Sequence, residues 1–339
     1  CPVQHAPVGA LCPRGEHGRS LVVKWSLCLA SAAVLMSAPL AQAKDAGQWL
    51  RGMADAVDQQ SYSGAFVYER SGSFSTHHIW HRADEDGVTE RLLRADGDPQ
   101  EWLRRDGRLQ CATSFATVSD WHATAPQQID PARLERWYAF EVLGGTRVAD
   151  RPATVVALKP RDPFRYAYEL YLDEDTGLLL KSLLINERNA LLERFQFVDV
   201  DFTELSDASL EAGSRCLSLE AAEPEKLVDD SGWLPGWLPP GYSAGESMVR
   251  ALSAGEPPVM TQVYSDGLAR FTVFVEPLGE ERLADNLVAQ LGPTVAISRR
   301  LQVEGQEYLA TIVGEIPPAT AERIAASFPH AAVAAEATP

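Results

Sequence analysis

The strongest candidate for metal chemistry is a histidine-rich run, His77-His78-Ile79-Trp80-His81. The β-branched and aromatic residues in and beside this run favour a strand. On a strand His77 and His81 share a face but lie ~13 Å apart, which is too far for one ion to bind both. His78 points to the other face. The run therefore indicates a polar or ligand-facing strand surface rather than a metal site.

Sequence motifs of the common enzyme classes are absent. The nearest approach to a Gly-x-Ser-x-Gly nucleophile motif, at residues 245–249, lacks the closing glycine, and no Gly-Lys pair is available for a phosphate-binding loop. No histidine is followed directly by a glutamate, so a His-Glu-x-x-His zinc motif is absent, and Cys-x-x-Cys does not occur. Carboxylate pairs are common, but a strongly acidic chain contains them by chance. We therefore expect a protein that is not an enzyme, without catalytic, cofactor-binding or metal-binding residues.

Two sets of side chains could bind a ligand or a partner. Aromatic residues recur on alternating segments, where they could line a groove or form the core between a sheet and a helix. These residues are Phe66, Tyr68, Trp80, Tyr166 and Tyr168. A run of arginines could meet an anionic group or could pair with Glu90, Glu101 and Asp106. These arginines are Arg91, Arg94, Arg104, Arg105 and Arg108.

Composition places the chain among soluble globular proteins. The 339 residues are enough for two domains, and 45% are hydrophobic against 23% charged. This balance excludes a disordered chain, a collagen and a polytopic membrane protein. Asp and Glu outnumber Lys and Arg by 47 to 30, which gives a net charge of −17. Because so acidic a chain is repelled by polyanions, we expect no nucleic-acid partner.

Residues 1–43 have the features of a segment that is removed. Residues 23–43 contain a lysine near their start, an apolar run, and an Ala-Gln-Ala sequence that ends at Ala43. This pattern is typical of a secretory signal peptide, and the apolar run is too short and too interrupted for a transmembrane helix. Residues 1–21 have no periodic pattern, and we expect them to be upstream sequence assigned to the protein in error. We expect cleavage after Ala43.

The expected cleavage after Ala43 would leave two cysteines in the exported protein. Of the five cysteines, Cys111 and Cys216 are the two that follow Ala43. An even pair in an oxidising compartment favours a disulfide, and the alternative is two separately buried thiols.

A first domain is expected over residues 44–203. Asp45 can cap a helix that continues to about Gln59, with Trp49, Met53 and Val57 on its buried face. Alternating segments separated by Asp-Gly turns then predict an antiparallel meander, a long loop over 112–130 and a short helix over 131–138. The expected strands cover residues 61–69, 74–84, 88–94, 101–105, 108–111, 142–148 and 153–160, with three more inside 164–202.

Residues 204–232 contain little apolar sequence, and we expect them to link the first domain to a second. The second domain, residues 233–329, begins with a Trp- and Pro-rich stretch that should be rigid and extended. A hairpin over 262–277 and two later strands are expected next. The tail, residues 330–339, is expected to be disordered.

Two helices are expected in the second domain. The spacing by four of Leu283, Leu287 and Leu291 predicts a helix over residues 280–291. Pro318 should begin the last helix, which would bury Ile324 and Phe328.

Five blocks of sequence carry a family resemblance. They are FVYERSGSFSTHHIWHR, DEDTGLLLKSLLINERNALLERFQF, WLPPGY, YSDGLARFTVFVEP and LGPTVAISRRLQ. Together, and in this order across residues 45–328, they resemble the MucB/RseB family of periplasmic regulators of the envelope-stress sigma factor in Gram-negative bacteria. The resemblance is strongest to the MucB branch of pseudomonads and their relatives.

The resemblance implies an α+β fold in two domains. The larger, N-terminal domain would be similar to the lipoprotein carriers LolA and LolB, with a curved antiparallel sheet that forms an unclosed barrel and helices on its concave side. The smaller, C-terminal α+β domain would bind the regulated partner. The resemblance also implies a disulfide between Cys111 and Cys216, since both fall where the MucB branch has cysteines.

The resemblance further implies a periplasmic, non-enzymatic regulator. Such a protein binds the periplasmic segment of a membrane anti-sigma factor of MucA or RseA type, shields it from the site-1 protease and keeps the sigma factor silent. Lipopolysaccharide or another lipid releases it, and self-association into a homo-oligomer is expected. A periplasmic lipid or lipoprotein carrier of LolA type is the alternative function.

Candidate binding residues are chosen by side-chain chemistry. In the second domain we select the large aromatic and arginine side chains, because these types dominate interface energies. They are Trp233, Trp237, Tyr264, Arg270 and Phe274. An exposed edge strand in this domain could also accept an extended partner segment. In the first domain, the aromatic set named above is the candidate lipid groove.

Overall fold

A computed structural model describes residues 44–113, 129–218, 234–250, 259–278, 287–303 and 306–328. Several predictions lie outside these residues. They concern residues 1–43, most of the loop over 112–130, the linker beyond Ser218, Trp233, Leu283 and the tail.

Helix α1 (Ala46–Gln59) is the amphipathic helix that the sequence predicts. Asp45 and Gln48 form a capping box, in which the Gln48 N–H donates to the Asp45 carboxylate at 2.7 Å and the Asp45 N–H donates to the Gln48 side chain at 2.9 Å. Trp49 and Met53 are buried on one face as expected. Among the described residues, no helix has the length and apolar character needed to span a membrane.

In the described part of the chain, eleven strands form one antiparallel sheet. They are β1 (Tyr62–Arg70), β2 (Ser73–Asp84), β3 (Gly87–Arg94), β4 (Glu101–Arg105), β5 (Arg108–Ala112), β6 (Tyr138–Val148), β7 (Arg151–Pro160), β8 (Ala167–Asp173), β9 (Leu179–Ile185), β10 (Leu191–Asp201) and β11 (Leu217–Ser218). The short helix α2 (Pro131–Leu134) precedes β6. Across the sheet the order is β11-β5-β4-β3-β2-β1-β10-β9-β8-β7-β6, so the sheet is open, with β11 and β6 at its edges.

The first sheet curls around α1. The helix contacts both β2 and β6, which are six steps apart in the sheet order. In a flat sheet that separation would be about 29 Å, whereas a helix of 14 residues is about 21 Å long. The helix therefore lies on the concave side, and the predicted unclosed, curved antiparallel sheet is confirmed.

Turn chemistry in this sheet follows the sequence. Three Asp-Gly pairs separate the strands from β2 to β5, as the meander predicts. Their glycines Gly87, Gly97 and Gly107 have φ values of +110°, +66° and +74°, which residues with a Cβ atom rarely adopt. These pairs consequently place the strand ends where the alternating pattern expects them.

Substituting Gly177, in the turn between β8 and β9, should weaken the packing of the sheet on α1. Gly177 has φ +78°, and a Cβ there would lie 2.7 Å from the Gly52 carbonyl oxygen of α1. Gly72 is the matched control, since its φ is +75° and no atom lies within 4 Å of its Cβ position. We expect urea unfolding to show a loss of about 1 kcal/mol for Gly72→Ala and about 1–3 kcal/mol more for Gly177→Ala. Equal losses would show that the contact contributes nothing.

A second, smaller sheet contains six strands within the described residues. They are β12 (Ser243–Arg250), β13 (Val259–Ser265), β14 (Arg270–Pro277), β15 (Val288–Leu291), β16 (Thr294–Val303) and β17 (Gln306–Gly314). Helix α3 (Pro318–Ala326) packs on β16 and β17. Ile324 and Phe328 are buried there, as the last predicted helix requires. A smaller α+β domain is thereby confirmed.

The helix predicted over residues 280–291 is wrong at its C-terminal end. Val288–Leu291 form strand β15, which pairs with β16 at the edge of the second sheet. Leu287 and Leu291 are exposed. Residues i and i+4 share a face on a strand as well as on a helix, so the leucine spacing does not distinguish the two. Gly292, with φ +59°, turns the chain into β16.

Residues 204–218, here called the strap, contact strands β2, β3 and β4 and end in β11, which pairs with β5 at the edge of the first sheet. The predicted disulfide between Cys111 and Cys216 is confirmed. The Gly213 N–H donates to the Glu101 carboxylate at 2.9 Å, and β11 at the end of the strap pairs with β5. The part of the predicted linker that the structure describes is therefore pinned to the first sheet, as the cysteine pairing suggests.

Candidate functional site

Aromatic side chains cover the inner face of the first sheet, on the side of α1. His81 stacks on Tyr62 with ring centroids 4.8 Å apart, and His77 stacks on Phe66 at 5.0 Å. Phe195 of β10 lies 4.8 Å from Phe66. Alternation along β1 and β2 places all of these rings on one face, because successive side chains of a strand point to opposite sides.

The two histidines of this face are held by protein contacts. His81 is 1% exposed, and its Nε2 donates to the Val57 carbonyl of α1 at 2.8 Å. Burial lowers the pKa of His77 to about 4, and the charge of Arg94 acts in the same direction. Both histidines share a face, as predicted, but that face is packed inside the protein and is not the expected polar surface. Within the described ranges, no group of three or more His, Cys, Asp or Glu side chains could hold a metal ion.

The five aromatic candidates for a lipid groove do not share one surface. Four are buried or half-buried in the interior: Phe66, Tyr68, Tyr166 and Tyr168. Trp80 lies on the opposite face of β2 from His81, and the Arg91 guanidinium lies over its ring at 4.9 Å. Including Trp80 in the same groove as Phe66 is therefore a mistake of strand register. Burial of the other four favours the core alternative over an open groove.

The arginine run is engaged in ion pairs within the first sheet. The Arg91 Nε donates to Glu101 at 2.7 Å, and Arg104 lies 3.6 Å from Glu90. These are two of the three carboxylates that the sequence offers as partners. For these two residues the pairing alternative is confirmed.

Two of the partner-contact candidates differ sharply in exposure. Trp237 is half-buried, with Phe164 edge-on at 5.2 Å and the Arg323 guanidinium 3.9 Å over its ring. Tyr264 is 2% exposed and stacks on Phe271 at 5.0 Å inside the second sheet's core. Tyr264 therefore stabilises the core and cannot contact a partner from the surface, which corrects its selection as a candidate.

The remaining candidates lie on β14 or outside the described residues. Arg270 and Phe274 are half-buried, and their spacing by four on β14 places them on one face. Trp233 lies outside the described residues. Arg270 and Phe274, together with Trp237, thus remain the candidates for contact with a partner.

The Trp- and Pro-rich segment, residues 234–242, lies between the two sheets. Arg165, which follows β7, donates to the Pro240 carbonyl at 2.6 Å. The Gly236 N–H donates to the Ser327 carbonyl at the end of α3 at 3.0 Å. The segment thus joins elements of both sheets, a role that its composition did not indicate.

A buried ion pair also joins the two sheets. The Arg165 guanidinium lies 2.7 Å from the Asp266 carboxylate, and both side chains are fully buried. The Tyr138 hydroxyl donates to the same carboxylate oxygen at 3.1 Å. The other oxygen accepts the N–H groups of Leu268 and Ala269, so Asp266 both forms the β13–β14 turn and anchors it to the first sheet.

A second ionic contact between the sheets, here called the Glu315 cluster, comprises Tyr68, Arg70, Glu193 and Glu315. The Arg70 Nη2 lies 2.9 Å from Glu193 of β10 and 2.8 Å from Glu315, which follows β17. The Tyr68 hydroxyl donates to Glu193 at 2.5 Å. Two carboxylates thus share one guanidinium in the interior.

The Glu315 cluster should make the stability of the protein depend on pH. Burial, and then the like charge of Glu193, raise the pKa of Glu315 to about 7 against the opposing effects of Arg70 and Arg270. An acid with a raised pKa in the folded state stabilises the fold while it is protonated, and this contribution is lost as the pH rises through the folded pKa. The window therefore runs from the ordinary pKa of a glutamate, 4.5, to about 7.

Glu315→Gln removes this titration. Relative to the unaltered protein, we expect the variant to gain on the order of 2 kcal/mol in unfolding free energy between about pH 5.5 and about pH 8.5. Urea unfolding at the two pH values measures the change. Glu141→Gln, at an exposed ion pair with Lys159, is the control and should show no such trend. A difference that does not vary with pH would contradict the prediction.

Comparison with known proteins finds relatives over both sheets. The family model of the MucB/RseB N-terminal domain matches residues 45–219, and that of the MucB/RseB C-terminal domain matches residues 228–329. The sigma factor AlgU regulatory protein MucB of Pseudomonas aeruginosa is 47% identical over 305 residues, which cover 88% of this chain and 95% of that protein. The sigma-E factor regulatory protein RseB of Haemophilus influenzae is 29% identical over 302 residues, covering 86% and 93% respectively.

A solved structure also resembles the chain. The crystal structure of MucB in complex with MucA(peri) has a TM-score of 0.72 and 46% sequence identity to it. The match covers 85% of this chain and 100% of that chain. Similarity in sequence and in fold therefore extends over the same two sheets.

Proposed function

The chain belongs to the MucB/RseB family, and from this premise we propose that it binds the periplasmic domain of a MucA/RseA-type anti-sigma factor. The observation that carries the proposal is the similarity to a MucB that was solved in complex with MucA(peri), at 46% identity over 85% of this chain. Because the match spans both sheets, either sheet can contribute to the contact. Trp237, Arg270 and Phe274 are the proposed contact residues.

The proposed consequence of binding is regulation. The bound chain would shield the anti-sigma segment from the site-1 protease and so keep the envelope-stress sigma factor silent. The names of the relatives, regulatory proteins of AlgU and of sigma-E, support this role. The proposed role is one of binding rather than catalysis, exercised in the periplasm.

Lipid-triggered release and self-association complete the proposal. Phe66 and Tyr68 are packed in the core of the first sheet, so an acyl chain would have to displace packed side chains rather than fill an open groove. Lipopolysaccharide should then release the partner slowly, at the rate at which the inner face opens. Sedimentation analysis of the free chain tests whether it forms a homo-oligomer.

Calorimetric titration of residues 44–339 with the periplasmic domain of the anti-sigma factor from the same genome tests the binding. The site-1 protease is then added with and without the chain, and a segment of scrambled sequence is the control. Saturable binding with slower cleavage supports the regulator. No binding and unchanged cleavage would reject it in favour of the LolA-type carrier, which an acyl-chain transfer assay would then test.

A further inference from the structure

Arg270, the first residue of β14, is a cation without a direct counter-ion. Its side chain is half-buried. Among the described residues, no acceptor hydrogen-bonds to its guanidinium and no carboxylate pairs with it, in contrast to Arg70, Arg151 and Arg165. A guanidinium withdrawn from water without a paired anion is costly, so this position favours a ligand of opposite charge.

The charged groups around Arg270 leave it without an anion of its own. Burial lowers the pKa of its guanidinium, and the nearby Arg104 acts in the same direction, against Glu315 and Tyr168. Glu315, the carboxylate that faces it, is already paired with Arg70 at 2.8 Å. The charges that act on Arg270 are therefore those of Arg104 and of one carboxylate that is already paired with Arg70.

We propose that Arg270 binds a carboxylate of the anti-sigma partner, an inference that rests on the proposed function. Arginine binds a carboxylate through two parallel N–H donors, a geometry that fits a single acidic side chain. Phe274, four residues further on the same face of β14, lies about 13 Å along the strand from Arg270. The partner segment that fits carries an acidic residue and, about 13 Å away, an apolar residue for Phe274.

The surrounding charges fit a carboxylate of a protein partner. The three arginines of this region, Arg70, Arg104 and Arg270, face three carboxylates. These carboxylates are Glu90, Glu193 and Glu315. The region is therefore neutral when all six groups are charged, and it carries one positive charge when Glu315 is protonated. A carboxylate, the anion that a protein partner carries, matches that excess with its single negative charge.

Binding at Arg270 should be linked to the protonation of Glu315. The groups that face Glu315 are Arg70, Arg270, Glu193 and the hydroxyls of Tyr68, Tyr166 and Tyr168. A new carboxylate beside Arg270 weakens the stabilisation of the Glu315 anion, so the complex takes up a proton. We expect the affinity to fall as the pH rises from about 6 to about 8, and Glu315→Gln to remove this dependence.

Four forms of residues 44–339 test the site by calorimetric titration with the periplasmic domain of the anti-sigma factor. They are the unaltered chain, Arg270→Gln, Arg270→Lys and the control Arg188→Gln, which changes an arginine that is 85% exposed in the β9–β10 turn. We expect Arg270→Gln to weaken binding at least about tenfold, Arg270→Lys to weaken it less, and Arg188→Gln to leave it unchanged. Thermal unfolding of each form confirms that it is folded.

Replacing each acidic residue of the partner in turn by its amide completes a double-mutant cycle with Arg270→Gln. One acidic position whose replacement has no further effect in the Arg270→Gln background identifies the bound carboxylate. Absence of any such position, or partner binding by folded Arg270→Gln equal to that of the unaltered chain, overturns the inference alone. No binding by the unaltered chain overturns the proposed function together with it.

Inorganic phosphate is the competing ligand for the same cation. If phosphate binds the unaltered chain but not Arg270→Gln, and both forms bind the partner with equal affinity, the site belongs to a phosphate. This result would overturn the carboxylate inference. If phosphate displaces the partner from the unaltered chain, and the double-mutant cycle still couples Arg270 to one acidic residue of the partner, the carboxylate inference is supported.

Discussion

Arg165→Met should lower the free energy of unfolding by about 3–5 kcal/mol. Arg165 and Asp266 are both fully buried and lie 2.7 Å apart. Methionine occupies most of the volume of the arginine but leaves the Asp266 carboxylate in the interior without its cation. The Tyr138 hydroxyl and the Leu268 N–H remain as donors, yet neither carries the missing charge. Calorimetry should show a decrease in Tm on the order of 10 °C.

The matched control is an exposed ion pair of similar length. Arg147 lies 2.7 Å from Asp150, but the two side chains are 64% and 97% exposed. Solvent screens such a pair, so Arg147→Met should leave Tm unchanged within error. Asp266→Asn introduced together with Arg165→Met should recover part of the loss, because a neutral amide requires no counter-charge. A Tm for Arg165→Met equal to that of the unaltered protein would contradict the prediction.

This pair also shows how the two sheets are held together. Arg165 binds Asp266 in the β13–β14 turn and Pro240 in the segment between the sheets, so one side chain anchors two elements. The Glu315 cluster provides a separate ionic contact through Arg70. The second contact contains Glu315, whose pKa is raised to about 7, so a change of pH near neutrality acts on it.

Local patterns in the sequence carried most of the strand assignments. The alternation in β1 places Tyr62, Phe66 and Tyr68 on one face, and the structure buries all three. Asp-Gly pairs locate the turns between β2 and β5, because few other residues adopt the required φ values. Both signals extend over fewer than about ten residues, the range over which local sequence patterns predict strands and turns.

Errors arose where the periodicity was ambiguous. A spacing of four fits a helix and one face of a strand equally well, and Leu287 and Leu291 proved to lie beside and on strand β15. Trp80 was grouped with Phe66 because both are aromatic, although its neighbour His81 occupies the inner face. Assigning faces between two strands requires the register, which the hydrophobic pattern fixes only when one face is clearly polar.

No local sequence pattern predicts the contacts between the two sheets. Arg165 and Asp266 are 101 positions apart, and Arg70 and Glu315 are 245 apart. In a chain with 47 acidic residues, nothing in the sequence marks the few carboxylates that become buried. The disulfide could be anticipated because Cys111 and Cys216 are the two cysteines that follow Ala43, and because the family resemblance implies their pairing.

Removal of the disulfide is the second change with a large expected effect. Cys111 and Cys216 are separated by 105 positions, and a cross-link that closes a loop of about 100 residues stabilises a protein by about 4.7 kcal/mol in the chain-entropy model. Measured losses of native disulfides are about 2–5 kcal/mol. We therefore expect Cys111→Ala/Cys216→Ala to lower the unfolding free energy by an amount in this range, as measured by urea unfolding.

The stability lost with the disulfide can arise in the unfolded chain or in the folded strap, and the two cases are distinguishable. The strap keeps other contacts with the first sheet, including Gly213 to Glu101 and the Arg91 Nη1 to the Ser209 carbonyl at 3.0 Å. If the bond acts mainly on the unfolded chain, the folded double variant should keep the strap in place and bind the partner as the unaltered chain does. Dithiothreitol should lower the Tm of the unaltered chain by a similar amount and leave that of the double variant unchanged. Rapid proteolysis within residues 204–218 of the folded variant would show instead that the bond holds the strap against the folded sheet.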